Sequence, residues 1–148
     1  MVKKEMLDRF EIAYKKDGFP PMAGRIMGLF YISDQKYFTF EEIILEVRAS
    51  KGAVSKTIKL LLELKRINYI LSENQSRKRL FYLDIQGLIQ FLRMVIDNYK
   101  SQNQLLKESL QIRTNENKEM NVFIKGSIQF NNDVLAFLEA KSEQYFNG

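Results

Sequence analysis

Cysteine and histidine are both absent from the chain, and each absence excludes a class of chemistry. Without thiols there is no cysteine nucleophile, no disulfide framework and no Cys/His zinc site. Without imidazole the commonest general acid–base group is missing. Carboxylates, lysine, serine and tyrosine remain, but a pair such as Glu41/Glu42 occupies successive helical positions that do not converge. No enzyme is expected, and no cofactor or metal is implied. Nor does any apolar run approach the ~20 residues that span a bilayer, so no membrane partner is expected either. The first residues, MVKKEMLDRF, carry cations without the apolar stretch of a secretory leader, which makes the cytoplasm the default location.

Hydrophobic residues form 45% and charged residues 28% of the 148 residues. That balance belongs to a soluble globular chain and not to a disordered one. The length suits one domain of ordinary size, or a small module with helical extensions. The net charge of +5 is unevenly spread. Between Arg48 and Arg79 stand nine cations (Arg48, Lys51, Lys56, Lys59, Lys65, Arg66, Arg77, Lys78 and Arg79) against Glu63 and Glu73. The rest of the chain is slightly acidic. A concentrated basic segment points to a polyanion, most often nucleic acid, although a solvated face with no partner has the same appearance.

Periodicity predicts mostly helix. Residues 3–16 form a polar-rich helix that ends at KKDGFPP. Pro20 and Pro21 suit the first turn of a second helix, whose apolar stripe is Met22, Ile26, Leu29 and Phe30. Gly24 and Gly28, four apart on that helix, leave room for close packing by another element. In TFEEIILEV, Thr39 and Glu42 have the spacing of a capping box, and Phe40, Ile43, Ile44 and Val47 form the buried stripe. Ser50 caps the next helix, with Val54, Ile58, Leu61 and Leu62 inward. Two short helices joined by a turn of three to four residues have the helix-turn-helix layout. NYILSENQSRKRLFYLD then reads as a hairpin, with Tyr69 and Leu71 alternating on one strand and Leu80 and Tyr82 on the other.

From Asp84 the helical period returns. Ile85, Leu92, Tyr99 and Leu106 recur every seven residues, as do Ile89, Ile96, Asn103 and Leu110, over about 28 residues. After RTNENKE, a last helix over about 118–145 has two apolar rows: Met120, Ile124, Ile128, Leu135 and Leu138, and Phe123, Phe130, Val134 and Phe137. So wide an apolar arc needs burial on more than one side. A homodimer is expected, with an intramolecular hairpin as the alternative. The fold class is therefore mainly α with a small β-hairpin (α+β): a winged helix-turn-helix over 1–83, including the N-terminal helix, and a helical dimerisation region over 84–148.

In the helix that follows Ser50, about 100° per residue sets Gly52, Lys56, Lys59 and Glu63 opposite the buried stripe, with Ser55 at its edge. A helix N-terminus favours anions through its free N–H groups and dipole, and a recognition helix inserts its N-terminal residues into the major groove. A missing side chain at Gly52 permits close approach there, and the hairpin tip brings cations to a phosphate strand or the minor groove. The DNA-binding candidates are Ser50, Lys51, Gly52, Ser55, Lys56 and Lys59 on the helix, and Ser76, Arg77, Lys78 and Arg79 on the wing. A winged helix that binds a protein instead is the alternative.

The segments GFPPMAGRIMGLFYIS, FTFEEIILEVRASKGAVSKTIKLLLELKRI and SRKRLFY resemble the MarR-type winged-helix regulators, particularly the GbsR-like branch. The resemblance covers residues 5–83, and the C-terminal helices only by length and placement. It implies a homodimeric transcription regulator, often a repressor, bound to double-stranded DNA and in some relatives released by a small-molecule effector. It carries the recognition-helix positions onto Lys51, Ser55, Lys56 and Lys59 and the wing positions onto Ser76 to Arg79. Arg25, in AGRI, is expected to hold helices together through an acid rather than to touch DNA.

Overall fold

The computed structural model describes residues 2–74 and 77–147. Its elements run α1 (Val2–Lys16), α2 (Pro21–Ile32), α3 (Phe40–Val47), α4 (Lys51–Glu63), β1 (Ile67–Leu71), β2 (Arg79–Leu83), α5 (Ile85–Ile112) and α6 (Lys118–Phe146). They form two compact units that divide between Leu88 and Ile89. The fold is mainly helical with a two-stranded antiparallel hairpin, a winged helix followed by two long helices.

In the first unit α1 lies directly on α2, and the two glycines are the reason. A Cβ on Gly24 would stand 2.3 Å from the Phe10 carbonyl oxygen, and one on Gly28 would stand 2.8 Å from the Phe10 ring. Arg25 fastens the same contact by donating to Asp8 at 2.5 Å, and it lies 3.5 Å from Glu11. Its role is thus the structural one expected, and its hydrogen bond holds the Asp8 carboxyl below the usual carboxylate range.

Local signals start the next two helices. The Thr39 hydroxyl accepts from the Glu42 N–H at 3.1 Å, while the Glu42 carboxylate accepts from the Thr39 N–H at 3.0 Å. At α4 the Ser50 hydroxyl accepts from the Ala53 N–H at 3.2 Å. Between them the chain turns at Arg48, whose backbone is left-handed (φ 54°). Ile26, Leu29, Ile43, Val47, Val54, Ile58 and Leu61 meet in one core beneath α2, α3 and α4.

The hairpin pairs Ile67 with Leu83 and Leu71 with Arg79. The alternating pairs do not by themselves set its inward face. Ile67 and Phe81 are buried, whereas Tyr69, Ile70 and Leu71 are each at least 40% exposed. The cause is a contact distant in sequence: Phe38 exchanges two backbone hydrogen bonds with Phe81, at 2.9 and 2.8 Å, and adds a one-residue third strand. That register turns Phe81 inward and leaves Leu80 and Tyr82 half-buried.

In the second unit, α5 residues from Ile89 onward pair with α6. Ile96, Ile124 and Leu135 are buried between them. So is Asn103, 2% exposed, which donates to Asn132 at 2.9 Å and accepts from Asn131 at 3.0 Å. The Tyr99 hydroxyl donates to Asn131 at 2.6 Å. A fully satisfied amide cluster in an apolar seam fixes which residues face each other, because a slip would leave its donors unpaired in a dry interior. The intramolecular hairpin therefore forms, but it covers only one of the two apolar rows of α6. Phe123, Phe130 and Phe137, seven apart, remain 63–67% exposed.

Candidate nucleic-acid interface

Helix α4 is amphipathic along its whole length. Val54, Thr57, Ile58 and Leu61 are buried, and Lys51, Gly52, Ser55, Lys56 and Lys59 are exposed. The outward set thus shares one face, as the spacing requires. The buried Thr57 satisfies its hydroxyl by donating to the Ala53 carbonyl at 2.9 Å. Ser50 is exposed at the N-cap with its hydroxyl engaged by Ala53. The N–H groups of Lys51 and Gly52 precede the first intrahelical hydrogen bond, in which Val54 donates to the Ser50 carbonyl. They form the electropositive end of the helix. A Cβ on Gly52 would meet nothing within 4 Å, so no packing inside the chain requires glycine at this position.

The wing residues differ from one another. Ser76 lies outside the described residues. Arg77 is exposed in a left-handed conformation (φ 58°). Lys78 is exposed but stands 3.9 Å from Glu41, in the first turn of α3. Arg79 belongs to the strand rather than the tip, and its guanidinium lies over the rings of Tyr69 and Phe81 at 5.2 and 5.0 Å. A cation held against two ring faces is restrained without being neutralised.

The basic stretch counted along the sequence does not all face outward. Arg66 is 7% exposed, with its guanidinium 6.0 Å from the Phe19 ring, and its carbonyl accepts from the Asp84 N–H. It supports the fold where charge counting had placed it with the polyanion-facing set. In contrast, Arg48 is exposed on the turn between α3 and α4, two residues before the Ser50 cap. It was visible in the sequence only as one cation among nine, because nothing local marks a left-handed arginine. At the start of α3, the Glu42 carboxyl is held below the carboxylate range by the Thr39 N–H and the Gln35 side-chain amide, the latter at 2.9 Å. The α3 entry is thereby ordered at neutral pH.

Among the described residues there is no group of three or more metal-ligating side chains, and no helix is long and apolar enough to cross a membrane.

No protein-family model matches the sequence, and no curated protein does. Solved structures do. The chain is similar to one described as the crystal structure of a transcriptional regulator, at 16% identity over 98% of each chain and a TM-score of 0.65. It is also similar to Staphylococcus aureus MepR in complex with DNA (19% identity, 87% of this chain and 91% of that one, TM-score 0.46). A MarR/EmrR family transcriptional regulator from Acinetobacter sp. ADP1 matches at 25% identity over 90% and 88% of the two chains, with a TM-score of 0.43. The likeness to the first of these, end to end, is a likeness of fold: a winged helix followed by two long helices.

Proposed function

We propose that the chain is a MarR-type transcription regulator that binds a two-fold operator in double-stranded DNA as a homodimer, acting as a repressor without catalysis of its own. One observation carries the reading. The exposed face of α4 presents a bare backbone at Gly52, a hydroxyl at Ser55 and ammonium groups at Lys51, Lys56 and Lys59 beside a free helix N-terminus. A major groove accepts such a face: N-terminal groups approach base edges, while lysines contact phosphate. Arg77 and Arg79 on the hairpin supply a second contact to the backbone or the minor groove. The exposed row Phe123, Phe130 and Phe137 supports a second copy as the partner of α6. Some MarR-type regulators are released from DNA by a small ligand, and the proposal includes such a release.

The test is selection from a random duplex library at physiological salt, followed by titration of the selected duplex against scrambled sequence. A two-fold motif with half-sites about 10 bp apart, bound roughly 10³-fold or more above scrambled DNA, is the expected result. Equal affinity for every duplex would reduce the protein to a non-specific binder. No binding to any of them would move the face to a protein partner.

A further inference from the structure

Beside α4 lies a cavity of about 600 Å³, within the range of small-molecule sites. Pro20, Pro21 and Met22 at the start of α2 form one wall, and Ala53, Thr57 and Leu60 of α4 form the other. The Thr57 hydroxyl is already spent on the Ala53 carbonyl, so the floor offers almost no polar group. Lys56 and Lys59 stand at the rim, exposed, and neither makes an ion pair with any described residue. Glu63 marks the far end along the helix. The stretch from Ala53 to Glu63 is about 15 Å long at 1.5 Å per residue. No aromatic ring lines it, so nothing there selects a flat ligand by stacking.

We infer that this trough binds an extended aliphatic carboxylate, with the chain along the apolar floor and the head group between the Lys56 and Lys59 ammonium groups. A charged head on an apolar chain is complementary to two cations above an aliphatic wall, whereas a neutral chain would leave the cations unused. The regulatory consequence rests on the DNA-binding reading above. Lys56 and Lys59 belong to the proposed DNA face, so a bound carboxylate neutralises two of its cations and releases the duplex.

Titration calorimetry of the full chain without DNA tests the site, using decanoate below its micellar range and decan-1-ol as the uncharged control. One decanoate per chain is expected, bound about tenfold or more tightly than the alcohol, a difference of about 1.4 kcal/mol. Ala53→Phe fills the trough from an exposed position and should abolish the heat while leaving the circular dichroism unchanged. Lys56→Gln with Lys59→Gln should erase the preference for the acid over the alcohol. Absence of heat, many decanoates per chain, equal binding of the alcohol, or undiminished binding to folded Ala53→Phe overturns the site. A protein that binds decanoate and fails to bind any duplex sinks the DNA reading and leaves the site standing. One that binds both at once, with the selected duplex undisplaced, overturns the release step.

Discussion

Gly52→Ala separates the reason for a glycine in α4 from every other effect of changing it. Gly52 is the second residue of the helix, exposed, with nothing within 4 Å of where a Cβ would be. Inside the free protein the added methyl meets no neighbour, and helix propensity favours alanine. Glycine is disfavoured by roughly 0.5–1 kcal/mol in a helix interior, and the first turn should realise the lower end of that range. For a chain of this size that corresponds to a rise in Tm of about 1–2 °C. Against DNA the same methyl occupies the space that lets the helix backbone approach the groove, and affinity for the selected operator should fall about tenfold or more. Thermal unfolding followed by circular dichroism gives the first quantity, and fluorescence anisotropy at fixed salt gives the second. The two move in opposite directions, so unfolding cannot mimic the result. Unchanged operator affinity would take the α4 N-terminus out of the DNA interface, and a lowered Tm would contradict the open space around Gly52.

The remaining expectations test other parts of the molecule. Gly24→Ala forces a Cβ against the Phe10 carbonyl at 2.3 Å and should destabilise the chain by about 1–3 kcal/mol in urea unfolding; an unchanged midpoint would mean that α1 is not seated there. Arg77→Ala should lower the slope of log affinity against log salt by about 0.9 if Arg77 meets one phosphate, and an unchanged slope excludes that contact. Because hydrogen bonds depress the folded-state pKa of Glu42, its stabilisation is complete above the unfolded carboxylate range, near pH 4.3, and is lost as pH falls through the lower folded value. Glu42→Gln should therefore flatten the acid limb of the stability profile, and a profile identical to wild type would refute the capping role. Phe130→Glu, at a site 64% exposed, should leave the helix content intact while sedimentation shows a monomer; an unchanged mass would put the dimer contact elsewhere.

How much of this could be read from the sequence depended on the range of the contact that decided it. The Thr39–Glu42 box and the Ser50 cap are settled within four residues, and the structure has both. Gly24 and Gly28 announced a close approach but not its partner, because Phe10 reaches them only after the chain has turned through Gly18 and the two prolines. The hairpin was legible as a hairpin, yet its inward face was not. Leu80 and Tyr82 alternate as convincingly as Phe81 does alone, and only the bridge from Phe38, forty-three residues upstream, decides between them. Charge counting failed in the same way at Arg66. The sequence supplies a side chain's sign and leaves its direction to the fold, which here sets the Arg66 guanidinium 6.0 Å from the Phe19 ring. The trough beside α4 is the extreme case, since Pro20–Met22 and Ala53–Glu63 are separate helices whose walls make a cavity only once the core beneath them is packed. The lysines that the helical period assigned to DNA thus border a cavity whose other wall no periodicity could supply. That is why competition at Lys56 and Lys59, carboxylate against phosphate, decides whether the proposed DNA face is also its own switch.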